Sequence, residues 1–116
     1  NIDGAIDTVS DIVKSIQKEV NNYKNVAIWS AGHRALALMA MAKLEKIKYV
    51  IDSATFKQGK FTPILHKKII SPEEFIGIQC DLLIIMLPGN YAEQVIRFVD
   101  EKKITCRVIV FEDKAL

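Results

Sequence analysis

The sequence predicts a Rossmann-like, doubly wound α/β domain with a mostly parallel five-stranded sheet in the order 3-2-1-4-5 and flanking helices. Three observations carry this. Short apolar runs rich in β-branched residues, residues 25–29 and 82–87 above all, read as strands buried on both faces, as in a parallel sheet. These runs alternate with helical stretches, which implies parallel pairing through right-handed crossovers. The first strand runs into a nucleotide-type turn and helix at Ser30-Ala31-Gly32-His33-Arg34-Ala35.

Along the chain, Ile2, Ile6, Val9, Val13, Ile16 and Val20 recur at alternating spacings of four and three, so residues 1–23 form an amphipathic helix ended by Asn21-Asn22. Such a helix ordinarily covers its own core. The alternative is a connector to an absent upstream domain, and the chain opens on Asn rather than Met. From Gly32 through Leu44 the chain is rich in Ala and Leu, a strong helix former that is apolar almost all round and belongs deep against the sheet. Lys48-Tyr49-Val50-Ile51 is the second strand, closed by Asp52. Residues 53–66 carry no helical period and hold Gly59 and Pro63, and a loop this long in a small domain is a candidate functional segment. Lys68-Ile69-Ile70 is a short third strand. Ser71-Pro72-Glu73-Glu74 is a capping box with proline at the first helical position. Residues 82–87 form the clearest buried strand, broken by Pro88-Gly89. Asn90-Tyr91-Ala92-Glu93 is a second capping box that opens a helix through about Lys102, and residues 107–111 are the last strand.

The length of 116 residues fits one domain, residues 1–116, without internal repeat. Half the residues are apolar, enough for a core that buries roughly two-thirds of the unfolded chain's surface. Lys and Arg number 16 against 14 Asp and Glu, a balance that argues against nucleic-acid binding, which needs a concentrated basic face. No apolar run reaches the ~20 residues of a membrane span, and no secretory signal is visible. Cys80 and Cys106 make neither a disulfide framework nor a zinc site. They fall at the starts of strands, away from the ligand edge, where a small buried thiol is the plain reading. A reducing, cytoplasmic compartment is the expectation.

Ligands of an open parallel sheet bind beyond the carboxyl ends of the strands, where strand order reverses. Here that is the crevice between the first and fourth strands. Ser30, Gly32, His33 and Arg34 face it from one side, Asn90 and Tyr91 from the other. The first turn is a degenerate G-x-G-x-x-G/A pattern, with Ser30 in the first place, Gly32 in the second and Ala35 in the third. Amide groups at the helix start favour a phosphate, and Arg34 can grip one through two donors. His33 can donate or accept. Asp52 lies 20 residues after Gly32, where an acidic residue can bind a ribose hydroxyl. Lys57, Lys60 and His66 belong to a basic loop beside the same edge, and the spacing of the two lysines around Gly59 suits a phosphate contact. The competing reading of the turn is a helix start that needs a small residue for packing. No catalytic nucleophile–base pair and no metal site is predicted, since His33 and His66 lack a third ligand.

The residues Val26-Ala27-Ile28-Trp29-Ser30-Ala31-Gly32-His33, Tyr49-Val50-Ile51-Asp52, Lys57-Gln58-Gly59-Lys60-Phe61-Thr62-Pro63, Ile70-Ser71-Pro72-Glu73-Glu74 and the run 81–87 follow in an order that resembles the C-terminal domain of the SAM-dependent sugar C-methyltransferases. The likeness covers the chain from about Val26 to the last strand, and its most specific part is Asp52 with residues 57–63. The family turn often reads G-A-x-x-K-G, from which Ser30, His33 and Arg34 depart. The resemblance implies a Rossmann-like domain that helps to hold a nucleotide-diphosphate sugar while an upstream SAM-binding domain methylates a sugar carbon. It implies no cofactor in this domain and no methyl transfer by this chain alone.

Two functions are therefore expected from the sequence. The first is the substrate-binding domain of a C-methyltransferase-like protein, taking a nucleotide sugar or related phosphorylated ligand. The alternative is a stand-alone NAD(P)-type dinucleotide module, regulatory or redox, for which Asp52 is the best argument.

Overall fold

The computed structural model describes residues 9–111. Among these residues nine elements follow one another: α1 (Val9–Asn21), β1 (Val26–Trp29), α2 (His33–Met41), β2 (Ile47–Ile51), β3 (Lys68–Ile70), α3 (Pro72–Ile76), β4 (Leu82–Ile85), α4 (Gly89–Glu101) and β5 (Arg107–Val110). The five strands form one sheet in the order β3-β2-β1-β4-β5, and every pairing is parallel. The predicted strand order and fold class are those observed.

The central strands β1 and β4 are buried at every residue, and their side chains alternate between two cores. Val26, Ile28, Leu82 and Ile84 point to the α1/α2 side, where Ile16, Val20, Ala35 and Leu38 meet them. Ala27, Trp29, Leu83 and Ile85 point to the α3/α4 side, against Phe75, Ala92, Val95 and Val99. Asp81 ties the entry of this central pair, accepting from the Asn25 backbone amide at 2.9 Å and its side-chain amide at 3.0 Å.

Helix α1 covers the domain's own core through Ile12, Ile16 and Val20, with Val13 only partly buried. Of the predicted stripe, Ile16 and Val20 are buried and Val13 packs against them, and Ile12 joins the same face. Its members Ile2 and Ile6 lie outside the described residues. Helix α2 stops at Met41, three residues before the end predicted from its Ala- and Leu-rich composition. Lys43 adopts a left-handed φ of 52° and the Leu44 amide reaches back to the Met39 carbonyl at 3.2 Å, the hydrogen-bond pattern of a Schellman stop. Lys103 ends α4 in the same way, at φ 55° with Ile104 bonded to Val99 at 3.0 Å.

The capping box at Ser71 is present in full: its hydroxyl accepts from the Glu74 amide at 3.0 Å and Glu74 accepts from the Ser71 amide at 3.2 Å. The second box, expected at Asn90, is not. Helix α4 begins earlier, because the Pro88 carbonyl already accepts from the Ala92 amide at 2.9 Å. Pro88 is the N-cap, no side chain caps it, and Asn90 sits within the first turn.

The long connection from β2 to β3 runs along the outer edge of the sheet. The Gly59 amide donates to the Ile69 carbonyl and the Ile69 amide to the Lys60 carbonyl, both at 2.8 Å, and Phe61 bridges Lys68 in antiparallel sense. The loop thereby pairs the exposed edge of β3. Gly59 turns it at φ 84°, a conformation that favours glycine.

Candidate functional site

The carboxyl ends of β1, β2 and β4 open onto a cavity of about 320 Å³ on the α3/α4 side of the sheet, at the lower end of the range for small-ligand sites. It lies at the strand-order reversal, where the sequence predicted a crevice. Strand β1 contributes Trp29 and the turn contributes Ser30. Asp52 and Ser53 follow β2, Leu87 follows β4, and Pro72 and Glu73 open α3. Helix α4 supplies Tyr91, Gln94, Val95 and Phe98, whose spacing of three, four and seven puts them on one face. The Trp29 ring meets Phe98 edge to face at 5.5 Å and Phe75 at 6.0 Å between centroids, so an aromatic cluster holds the apolar wall in place.

The other wall is a hydrogen-bonded hub around Asp52. One carboxylate oxygen accepts from the Ala31 amide at 2.8 Å and the other from the Ala54 amide at 2.8 Å. The Lys57 ammonium donates to the Ala31 carbonyl at 3.2 Å and lies 3.8 Å from the same carboxylate. Gln58 donates to the Asp52 carbonyl at 2.9 Å. The turn after β1 and the loop after β2 are thereby locked together.

Within the turn, Ser30 carries the unusual backbone. Its φ is 140°, a region that residues with a Cβ rarely enter. Its amide still donates to the Ile51 carbonyl at 2.9 Å, and its hydroxyl accepts from the Gly32 amide at 3.2 Å. Gly32 has an ordinary φ of −76°, and a Cβ there would meet only the Ser30 hydroxyl at 3.4 Å. The position that demands glycine is the one where this chain has serine. The first turn of α2 has neither a side-chain cap nor an acidic residue.

Of the residues selected from sequence, Ser30, Asp52 and Tyr91 line the cavity. Gly32 joins its wall through the Ser30 hydroxyl, and Lys57 through the Asp52 hub. His33 is exposed and Arg34 half-buried in the first turn of α2, and Asn90 is exposed beside Tyr91. Lys60 and His66 lie instead in the segment that edges β3, where the His66 amide donates to the Thr62 carbonyl at 3.1 Å. Both charged groups in the lining, Asp52 and Glu73, are carboxylates. The sequence reasoning missed Trp29, Ser53, Glu73, Gln94 and Phe98. The helical period counted forward from Tyr91 would have found Gln94 and Phe98, and the two-residue period of β1 would have put Trp29 on their side. No group of three or more potential metal ligands occurs among the described residues, nor is any described helix long and apolar enough to cross a membrane.

Residues 3–108 match the family described as the C-methyltransferase C-terminal domain. Among curated proteins, Protein MGF 360-5L of African swine fever virus is 34% identical over 85 residues, and Protein MGF 360-4L of another isolate is 35% identical over 88. Each match covers 64% of this chain and 23% of the relative, so the chain spans under a quarter of the length of these relatives. Among solved structures, RSP, a Rex-family repressor, superposes with a TM-score of 0.59 at 17% identity, over 95% of this chain and 57% of that one. The same repressor in complex with beta-NAD+ and operator DNA gives 0.58 at 18%, over 86% and 50%. At these identities the likeness is one of fold.

Proposed function

This chain belongs to the C-methyltransferase C-terminal domain family, and from that membership we propose that its crevice holds a nucleotide-diphosphate sugar, or a related phosphorylated ligand, for methyl transfer by an upstream SAM-binding domain. The observation that carries the reading is the cavity at the strand switch point, with an aromatic wall on one side and polar groups on the other. Trp29, Tyr91 and Phe98 suit the face of a base or sugar ring. Ser53, Glu73 and Gln94 suit its hydroxyls. The carboxylates in the lining disfavour a phosphate inside the cavity. The uncapped start of α2, with Arg34 in its first turn and Lys57 beside it, favours the diphosphate just outside. SAM supplies the methyl group from the other domain. This domain's part is to fix the sugar's orientation, and positioning of this kind is worth up to about 7–11 kcal/mol of a barrier.

A thermal-shift screen followed by calorimetric titration tests the reading. Nucleotide-diphosphate sugars are expected to stabilise the domain, and Tyr91→Ala and Arg34→Ala to weaken them at least tenfold. Unchanged affinity in both variants would remove the ligand from this crevice.

The second reading, an NAD-type module, draws on the fold shared with the NAD+-bound repressor and on Asp52 at the end of β2. Against it, both Asp52 oxygens already accept backbone amides, so a ribose hydroxyl would share an occupied carboxylate. Stabilisation by NAD alone in the same screen would favour this second reading.

A further inference from the structure

Cys80 and Cys106 stand at the entries of β4 and β5, the end of the sheet opposite the crevice, and both are free thiols. The sheet register brings them together. Leu82 pairs with Arg107, and the Arg107 amide donates to the Asp81 carbonyl at 2.9 Å. Cys106 therefore lies beside Asp81 on the neighbouring strand, at the strand spacing of about 4.8 Å, with Cys80 one residue on. Cys80, displaced from Asp81 by one residue's rise of about 3.3 Å, is then about 5.8 Å from Cys106 on the diagonal, within the span a disulfide bridges, about 4.4–6.8 Å between Cα atoms. Both side chains enter the α3/α4 core, and the two thiols are in hydrogen-bond contact.

The pair is asymmetric. Cys80 is buried, and its thiol donates to the Leu82 carbonyl at 3.2 Å. Cys106 is half-exposed. Their shared hydrogen bond holds the Cys106 thiol below its ordinary value, and the same contact together with burial pushes that of Cys80 up. The accessible thiol is thus the one that ionises more readily, and it is the thiolate that attacks an incoming disulfide.

We propose that Cys80 and Cys106 form an oxidation site, a dithiol that reacts with a low-molecular-weight disulfide and closes an intrachain bond between the entries of β4 and β5. The Cys106 thiolate attacks one sulfur of the small disulfide, whose S–S bond breaks and whose other half departs as a thiolate. That thiolate takes the Cys80 proton. Cys80 then attacks the Cys106 sulfur, the mixed bond breaks, and the second small thiolate leaves and takes up the proton that Cys106 gave to solvent. Two protein thiols are oxidised and one small disulfide is reduced to two thiols. The new bond would pin β5, which lies at the edge of the described sheet beside β4.

The test is incubation of the folded chain with oxidised glutathione, alkylation of remaining thiols, and peptide mapping by mass spectrometry. The expected product is the intact chain lighter by two hydrogens, with its Cys80 and Cys106 peptides linked. Cys80→Ser is expected to stop at a glutathione adduct on Cys106, and Cys106→Ser to leave Cys80 unmodified. Accumulation of the Cys106 adduct in the unaltered chain, alkylation of both thiols after incubation, or a bond between two chains would each overturn the proposal. None of these outcomes bears on the crevice, so the two readings fail independently.

Discussion

Ser30 offers a sharp test of the turn that walls the crevice. It holds φ 140° because its amide must continue the sheet to Ile51 while the next residues turn into α2. A side chain in this region costs about 1–3 kcal/mol. Ser30→Ala and Ser30→Gly both remove the hydroxyl that accepts from Gly32, so that loss cancels between them. Alanine keeps the Cβ in the strained conformation, and glycine removes it. Glycine loses about 0.5–1 kcal/mol through the greater entropy of its unfolded chain. The balance puts Ser30→Gly ahead of Ser30→Ala by about 1 kcal/mol, or about 4 °C in Tm for a domain of this size. Urea and thermal unfolding of the two variants, followed by circular dichroism, measure the difference. An alanine variant as stable as the glycine variant, or more so, would show that position 30 carries no strain and would refute the geometry of the turn.

Three further outcomes follow from the walls of the site. Asp52→Ala removes the acceptor of two backbone amides and the partner of Lys57. It is expected to cost about 3 kcal/mol in urea unfolding, with Asp52→Asn in between, because hydrogen bonds to a charged group are worth about 1.5–3 kcal/mol each. A loss within experimental error would show that the hub does not hold the turn. Phe75→Ala empties a fully buried position behind Trp29 and is expected to cost about 3–5 kcal/mol, with altered Trp29 fluorescence. A small loss with unchanged fluorescence would contradict the packing of α3. Tyr91→Ala changes an exposed residue and should leave Tm unchanged while weakening ligand, which separates binding from folding.

The sheet was legible because its determinants are local. Val26-Ala27-Ile28-Trp29 and Leu82-Leu83-Ile84-Ile85 have the composition of strands buried on both faces, and the alternation with helices leaves few topologies. Ser71 was legible as a cap because its partner Glu74 is three residues away. What depends on tertiary pairing was not. The irregularity opposite Val26 and Ala27, where β2 passes over Lys48, has no mark in the residue pattern. The Asn90 box matched in sequence, but the helix started at Gly89, a start that the Pro88-Gly89 break concealed. Lys60 and His66 looked like ligand contacts because charge and loop length were visible, whereas the pairing of that loop with β3 was not. The contact between Cys80 and Cys106, 26 residues apart, came only from the register of β4 and β5.

The crevice claim is tested most directly by calorimetric titration of nucleotide-diphosphate sugars into the unaltered domain and into Gln94→Trp, which places bulk at an exposed position of the cavity lining. Binding to the unaltered domain, and its loss in Gln94→Trp at unchanged Tm, are expected. Equal affinity in both, or heat released by NAD and by none of the sugar nucleotides, would contradict the crevice claim.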